Sequence, residues 1–328
     1  MSRPVPEFAS EQDFLGLIGR HFPQAHSHVE LGRGDDCAIL RCPERLCLTT
    51  DLFLEDRHFR RAYFEPEDVG RKALAVNLSD ILGMGGRPLG FALNLMAPRD
   101  VPRAWWDRMF LAMSGLAHEY GLPLVGGDLS ASERIGLAVT MWGEAAPGGE
   151  FKRRGRTESG DRLLLAGPLG LARAGLLDLE ERGRHAAADY PHSTAWHLCP
   201  TLDPAASAAL ARLPFVRGLM DVSDGLCQDV PRFLAPGQGA ALVLDAAALH
   251  PEVAAQAAAR GQECALFAAL GGEDYALLGA LPPTMLDEAR TAVPHLLPIG
   301  RVVAAPGLTL NGAELSGGFD HFRMTEGE

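Results

Sequence analysis

The sequence predicts an α/β protein of two domains, and three observations carry that prediction. Its 328 residues exceed what one hydrophobic core ordinarily organises. Strand-length apolar runs alternate with segments of helical period in both halves. Between the halves, Ala145-Ala146-Pro147-Gly148-Gly149 is a composition that few packed elements tolerate. The expected domains are therefore residues 1–146 and 150–328.

Residues 13–22, with Phe14, Leu15, Leu17 and Ile18, read as a short amphipathic helix. Gly32-Arg33-Gly34-Asp35-Asp36 is a turn, followed by the apolar run 37–40. Residues 46–51 read as a strand ending in Asp51, with His58 and Phe59 beyond a loop. A helix is expected over 66–86. Pro66 suits its first position, Glu67 and Asp68 suit its positive first turn, and Gly83, Gly85, Gly86 and Pro88 stop it. At 100° per residue Val69, Ala73, Val76 and Met84 share one face, while Leu74, Leu78 and Ile81 line another. Only a wedge holding Arg71, Lys72 and Ser79 is expected to be wet. Asp80 falls inside the Val69–Ala73–Val76 face, where an ionised carboxylate costs several kcal/mol without compensating cations or donors. A helix-end acid facing water, a structural ion pair and a metal ligand all remain open for it. A strand at 89–95, a helix from Trp106 to Tyr120, a short strand at 122–125 and another strand at 135–142 complete this half; the helix aromatics read as core.

In the second half residues 162–166 are a strand, and Gly167-Pro168-Leu169-Gly170 turns into a helix ending near Gly183. Residues 184–204 show no period and are expected to be a loop. Asp221-Val222-Ser223-Asp224-Gly225 precedes a helix reaching Leu234; a strand at 240–244 and helices at 251–260 and 263–270 follow. Gly271-Gly272-Glu273-Asp274 leads into a strand at 275–281, then a helix at 283–293, a strand at 299–303 and a hairpin turn at Asn311-Gly312.

A net charge of −12 argues against a nucleic-acid backbone as partner, since that affinity comes from Lys and Arg. No apolar run approaches membrane-spanning length. The six cysteines form no C-x-x-C pair, which suits reduced thiols and a cytoplasmic location. There is no P-loop, no G-x-S-x-G elbow and no G-x-G-x-x-G opening a helix. What recurs is an acid at a strand end or turn, flanked by Gly, Ser or Thr: Asp36, Asp51, Asp128, Asp221 with Asp224, and Glu273. Oxygen-only ligands of this kind suit Mg²⁺, which shares its coordination with water and substrate phosphates.

These residues carry a resemblance. Gly34-Asp35-Asp36-Cys37-Ala38, Thr49-Thr50-Asp51 with His58-Phe59, Asn77-Leu78-Ser79-Asp80, Gly126-Gly127-Asp128, Asp221 to Leu226, Gly271-Gly272-Glu273-Asp274-Tyr275 and Gly318-Phe319-Asp320-His321-Phe322 stand in order across nearly the whole chain. In these motifs the chain resembles the thiamine-monophosphate kinases, in the superfamily of aminoimidazole ribonucleotide synthetase and selenophosphate synthetase. The resemblance implies a two-domain synthetase-like α/β fold, with N-terminal strands closing an inter-subunit β-barrel in a homodimer. It implies ATP- and Mg²⁺-dependent phosphorylation of thiamine monophosphate to thiamine diphosphate. The N-terminal domain would bind metal and ATP phosphates and dimerise; the C-terminal domain would bind ATP and substrate. Asp36, Thr49, Thr50, Asp51, Asp80, Asp128, Asp221 and Asp224 would hold several Mg²⁺ ions. Gly127, Arg154 and Ser223 would contact ATP, and His58, Glu273 and Phe319 thiamine phosphate. The chain departs from the pattern at Pro200-Thr201-Leu202-Asp203-Pro204, where such kinases carry a Pro-x-Pro-Arg-type segment. Another superfamily enzyme acting on a purine precursor, a Mg²⁺-dependent phosphatase and a silent nucleotide-binding dimer remain alternatives.

Overall fold

The computed structural model describes residues 8–317, so Phe319 lies outside the described residues. The chain divides into two compact units, one of Met1–Ile81 and Arg87–Ala145, the other of Leu82–Gly86 and Ala146–Glu328. Both mix helices and sheet, a two-domain α/β architecture.

The first unit is built on a five-stranded sheet. Strands Cys47–Leu54, Gly136–Ala145, Gly86–Ala97 and Leu124–Gly126 lie side by side in that order, and Leu129–Ala131 also pairs with Gly86–Ala97. Cys47–Leu54 is thus an edge strand, antiparallel to its neighbour with Thr49 opposite Met141 and Asp51 opposite Val139. Helix Arg103–Glu119 and helix Pro66–Gly83 as far as Ile81 belong to the same unit. They approach closely at Gly70, where a Cβ would stand 2.2 Å from the Met109 carbonyl oxygen. Trp106, Met109, Phe110 and Met113 are fully buried, as their spacing predicts. Of the wet wedge expected on Pro66–Gly83 only Arg71 is half-exposed; Lys72 is 0% and Ser79 1% exposed. The Lys72 ammonium stands 5.4 Å from the centre of the Phe64 ring, and that aromatic face makes burial of the stem tolerable.

The second unit holds a seven-stranded sheet in the order Ala313–Glu314, Leu308–Leu310, Gly239–Leu242, Leu297–Val303, Arg162–Ala166, Leu277–Leu281, Gly218–Asp221. Side chains alternate across it, so Leu163 and Leu165 enter one core while Leu164 and Ala166 enter another. Residues of helices Leu171–Arg182, Leu226–Phe233, Pro251–Ala259 and Cys264–Ala269 fill the first core; Pro204–Arg212 and Leu286–Ala292 contribute to the second. Burial on both faces explains why Arg162–Ala166 reads as a continuous apolar run. Asn311 and Gly312 take positive φ of 50° and 88° and make the expected tight hairpin.

The expected loop at 184–204 is corrected. It contains a 3₁₀ turn, Gly183–Ala188, and an α-helix, Pro191–Leu198. Only eight residues long, the helix has too few turns to show a period. Contacts from elsewhere hold it: the Glu252 carboxylate accepts the His192 and Ser193 N–H groups at 3.1 and 2.7 Å. Gly175 admits it so closely that a Cβ there would meet the Ser193 oxygen at 2.0 Å. Asp203, in the atypical segment, caps the next helix by accepting the Ala206 N–H at 2.8 Å, with Pro204 behind it at a position that needs no donor. Among the described residues no helix is long and apolar enough to cross a membrane.

Candidate active site

In the first unit the alternation of Cys47–Leu54 sets Thr49 and Asp51 on one side of the strand, half-buried, and Thr50 on the other, exposed. Asp80, half-buried on helix Pro66–Gly83, meets that side: its carboxylate accepts the Thr49 hydroxyl and shares a hydrogen bond with Asp51. Burial, and then the neighbouring Asp80 charge, push the Asp51 carboxyl up to about 6. Burial also raises Asp80, against the lowering effect of the Thr49 hydroxyl and Asp51. Two acids facing each other in this way give up their protons at higher pH than free carboxylates do, and a bound cation favours the doubly ionised pair. Their hard oxygen donors fit a divalent ion such as Mg²⁺. Among the described residues no third acid, His or Cys closes with this pair into a group within 4.8 Å.

The other expected ligands of this unit stand apart from that pair. Asp36 lies in an exposed turn, its N–H donating to Asp35 Oδ1 at 2.8 Å. The Thr50 hydroxyl is 3.2 Å from that of Thr140 on the opposite face. Asp128 is exposed at the kink between Leu124–Gly126 and Leu129–Ala131. Gly127 makes the kink possible, with φ +152° and a would-be Cβ 1.8 Å from the Leu93 carbonyl oxygen. His58 follows the edge strand; its Nδ1 accepts the Leu54 N–H at 3.0 Å and its ring stacks on Phe53. With Nδ1 so engaged, Nε2 carries the proton of the neutral ring, a donor suited to a phosphate oxygen.

In the second unit two turns are stapled together. Asp221, buried, ends strand Gly218–Asp221. Glu273 N–H donates to the Ser223 carbonyl at 2.7 Å and Tyr275 N–H to that of Val222 at 2.8 Å. A Cβ at Gly225 would meet the Gly271 oxygen at 2.4 Å, and one at Gly272 the Ser223 oxygen at 2.7 Å, so the glycines permit this approach. Glu273 and Tyr275 take φ of +62° and +51°, left-handed values that ordinary side chains avoid. Arg154 is exposed, its guanidinium 3.8 Å from Met220 Sδ, beside the strand end that carries Asp221. The Asp224 carboxylate pairs with Arg232, and its N–H donates to Asp229 at 2.8 Å. Burial pushes the Asp229 carboxyl up to about 6.

Asp274, beside Glu273, is fully buried and faces away from it in function. It accepts the Gly170 and Ala172 N–H groups at 2.5 and 3.0 Å, capping helix Leu171–Arg182, and burial drives its carboxyl up to about 7. The Trp196 indole N–H donates to its carbonyl at 3.1 Å. His197 Nδ1 stands 3.2 Å from Glu273 Oε2. Sequence reasoning missed Trp196 and His197 because their helix carries no periodic signal. It missed Arg232 and Asp229 because nothing in spacing alone ties them to Asp224. A further cluster, His192, His250 and Glu252, brings its ligand atoms within 4.8 Å. Both Glu252 oxygens accept backbone N–H groups, and His250 Nδ1 accepts the Glu252 N–H at 3.2 Å. These bonds fasten the starts of helices Pro191–Leu198 and Pro251–Ala259 together.

Residues 34–145 match the family model described as AIR synthase related protein, N-terminal domain. The thiamine-monophosphate kinase of Aquifex aeolicus is 36% identical over 208 residues, covering 60% of this chain and 62% of that one. That of Corynebacterium glutamicum is 31% identical over 229 residues, covering 67% of each. These alignments thus span about two thirds of the relatives' length or a little less. In three dimensions the likeness extends further. A solved structure described as AaThiL complexed with AMPPCP and TMP superposes with a TM-score of 0.75 at 27% identity, covering 95% of this chain and 97% of that chain. Escherichia coli HypE, a hydrogenase maturation protein, shares the fold at 20% identity and TM-score 0.72.

Proposed function

The chain belongs to the thiamine-monophosphate kinase family, and from that premise we propose that it transfers the γ-phosphoryl group of ATP to thiamine monophosphate, giving thiamine diphosphate and ADP. The observation that carries this reading is the Asp51–Asp80 pair with the Thr49 hydroxyl, an anionic oxygen cluster that calls for a divalent cation. The acceptor is itself a phosphate of about −1.5 to −2 charge near neutral pH, so no strong general base is needed. The obstacle is repulsion: two unit charges 4 Å apart at an effective dielectric of 20 repel by about 4 kcal/mol, and several such pairs meet. Bound Mg²⁺ supplies charge neutralisation and in-line alignment of the phosphates.

In this reading Asp36, Thr49, Thr50, Asp51, Asp80, Asp128, Asp221 and Asp224 provide the metal ligands. Gly127, Ser223 and Arg154 contact ATP, Arg154 as a guanidinium able to take two phosphate oxygens at once. His58 donates to the substrate phosphate from Nε2, and Phe319 packs on the substrate ring. Glu273 offers its carboxylate to thiamine, which carries a permanent thiazolium cation and an aminopyrimidine. The exposed apolar side of the edge strand, with Leu48 62% and Leu52 54% accessible, supports a homodimer that closes a barrel there. All six thiols being unpaired suits a cytoplasmic location.

The test is incubation with ATP, Mg²⁺ and thiamine monophosphate, followed by mass-spectrometric detection of thiamine diphosphate. Formation of that product only when all three are present is the expected result. Release of inorganic phosphate with no acceptor product would instead identify a phosphatase and overturn the proposal.

A further inference from the structure

Helix Pro191–Leu198 places two consecutive side chains against the turn that carries Glu273. Trp196 donates its indole N–H to the Asp274 carbonyl at 3.1 Å, and His197 brings Nδ1 to 3.2 Å from Glu273 Oε2. The His197 side chain is 3% exposed and that of Glu273 29%, so the imidazole stands behind the carboxylate and the carboxylate faces outward. The backbone beneath Glu273 is held on every side. Its own N–H and that of Tyr275 bond to the Ser223 and Val222 carbonyls, Asp274 is locked on the start of helix Leu171–Arg182, and Glu273 adopts a left-handed φ of +62°. A residue kept in that conformation by so many partners is held for what its side chain does. A Glu side chain nevertheless has three rotatable bonds, and a fixed backbone does not fix its oxygens.

We propose that His197 is a positioning residue for thiamine phosphate recognition, holding Glu273 Oε2 from behind so that Oε1 is presented to the substrate. The inference rests on the substrate contact assigned to Glu273 above. The imidazole acts as the donor, with its proton on Nδ1, because a carboxylate can only accept. Trp196, on the preceding residue, fixes the helix against the same turn, so His197 cannot follow Glu273 if it swings. What His197 contributes is a pre-arranged orientation, which lowers the entropy that substrate binding would otherwise have to remove.

Steady-state kinetics of His197→Ala, His197→Asn and Glu273→Ala, alone and combined, test this. His197→Ala is expected to raise KM for thiamine monophosphate about tenfold or more, the scale of a lost hydrogen bond to a charged group. KM for ATP and kcat should stay close to wild type. Asn carries its amide near the place of Nδ1 and should recover most of the loss. In a Glu273→Ala background, His197→Ala should have no further effect on KM. Nitrogen-15 chemical shifts of the His197 ring supply a readout independent of turnover, with the proton on Nδ1 in the wild type and that preference lost in Glu273→Ala. Equal increases in both KM values, no rescue by Asn, or losses that add in the double variant would overturn the positioning role. A wild-type protein that forms no thiamine diphosphate would overturn the functional reading itself, and the two failures are therefore distinguishable.

Discussion

Burial holds both Asp51 and Asp80 above the usual carboxylate range, and the neighbouring Asp80 charge raises Asp51 further. A ligand that binds only the folded chain adds about 2.7 kcal/mol of stability at a hundredfold excess over its Kd. Mg²⁺ should therefore raise the melting temperature of the wild type by several degrees and that of Asp80→Asn far less. The same variant should remain folded and lose about 100-fold or more in kcat, the scale seen when one electrostatic partner of a transition state is removed. Wild-type turnover in Asp80→Asn would exclude it as a ligand. Asp274 gives a second prediction at this scale. Its folded carboxyl titrates near 7 against an ordinary value of 3.8, so between these values the folded chain holds a proton that the unfolded chain has released. The stability contributed by Asp274 is then fully present below pH about 4 and declines as the pH rises towards 7. In urea titrations the advantage of the wild type over Asp274→Asn should shrink from pH 5 to pH 8. A growing advantage would show that the capping N–H groups outweigh burial.

Elements in this chain are set by caps and by close backbone approaches as much as by propensity. Helix Pro204–Arg212 starts in the segment 200–204, and Asp203 shows why that segment is structured. One Asp203 oxygen accepts the Ala206 N–H and the other pairs with His295 at 3.0 Å. Asp203→Ala should cost about 1 kcal/mol, as loss of an N-cap does, and lower the melting temperature by about 2–4 °C. Its KM values should stay unchanged, since the cap faces its own helix; a shifted KM would place this segment at the substrate. The kink at Gly127 belongs to the same class of feature. The backbone of Gly86–Ala97 passes so near that no side chain fits, which is how a short strand can turn twice against one neighbour.

At the scale of the whole molecule, the edge strand Cys47–Leu54 presents polar Thr49 and Asp51 on one side and exposed Leu48 and Leu52 on the other. A bare apolar edge is a liability unless something covers it. Replacing Leu48 and Leu52 together by Glu should convert the proposed dimer to a monomer in sedimentation velocity, while circular dichroism stays unchanged. A wild type that sediments as a monomer would overturn the dimer. The sequence by itself determined the alternation of strands and helices, the buried helix bearing Asp80, the aromatic core at Trp106 and Phe110, and the acid-bearing turns. Each of these is written in a local period or a local turn residue. Only the tertiary structure decided that Asp80 meets Asp51 and Thr49, that Asp224 pairs with Arg232, that Lys72 is buried over Phe64, and that residues 191–198 form a helix backing Glu273. Those facts depend on contacts between residues far apart in the chain, and a short segment or a lone charge carries no mark of the partner that packing brings to it.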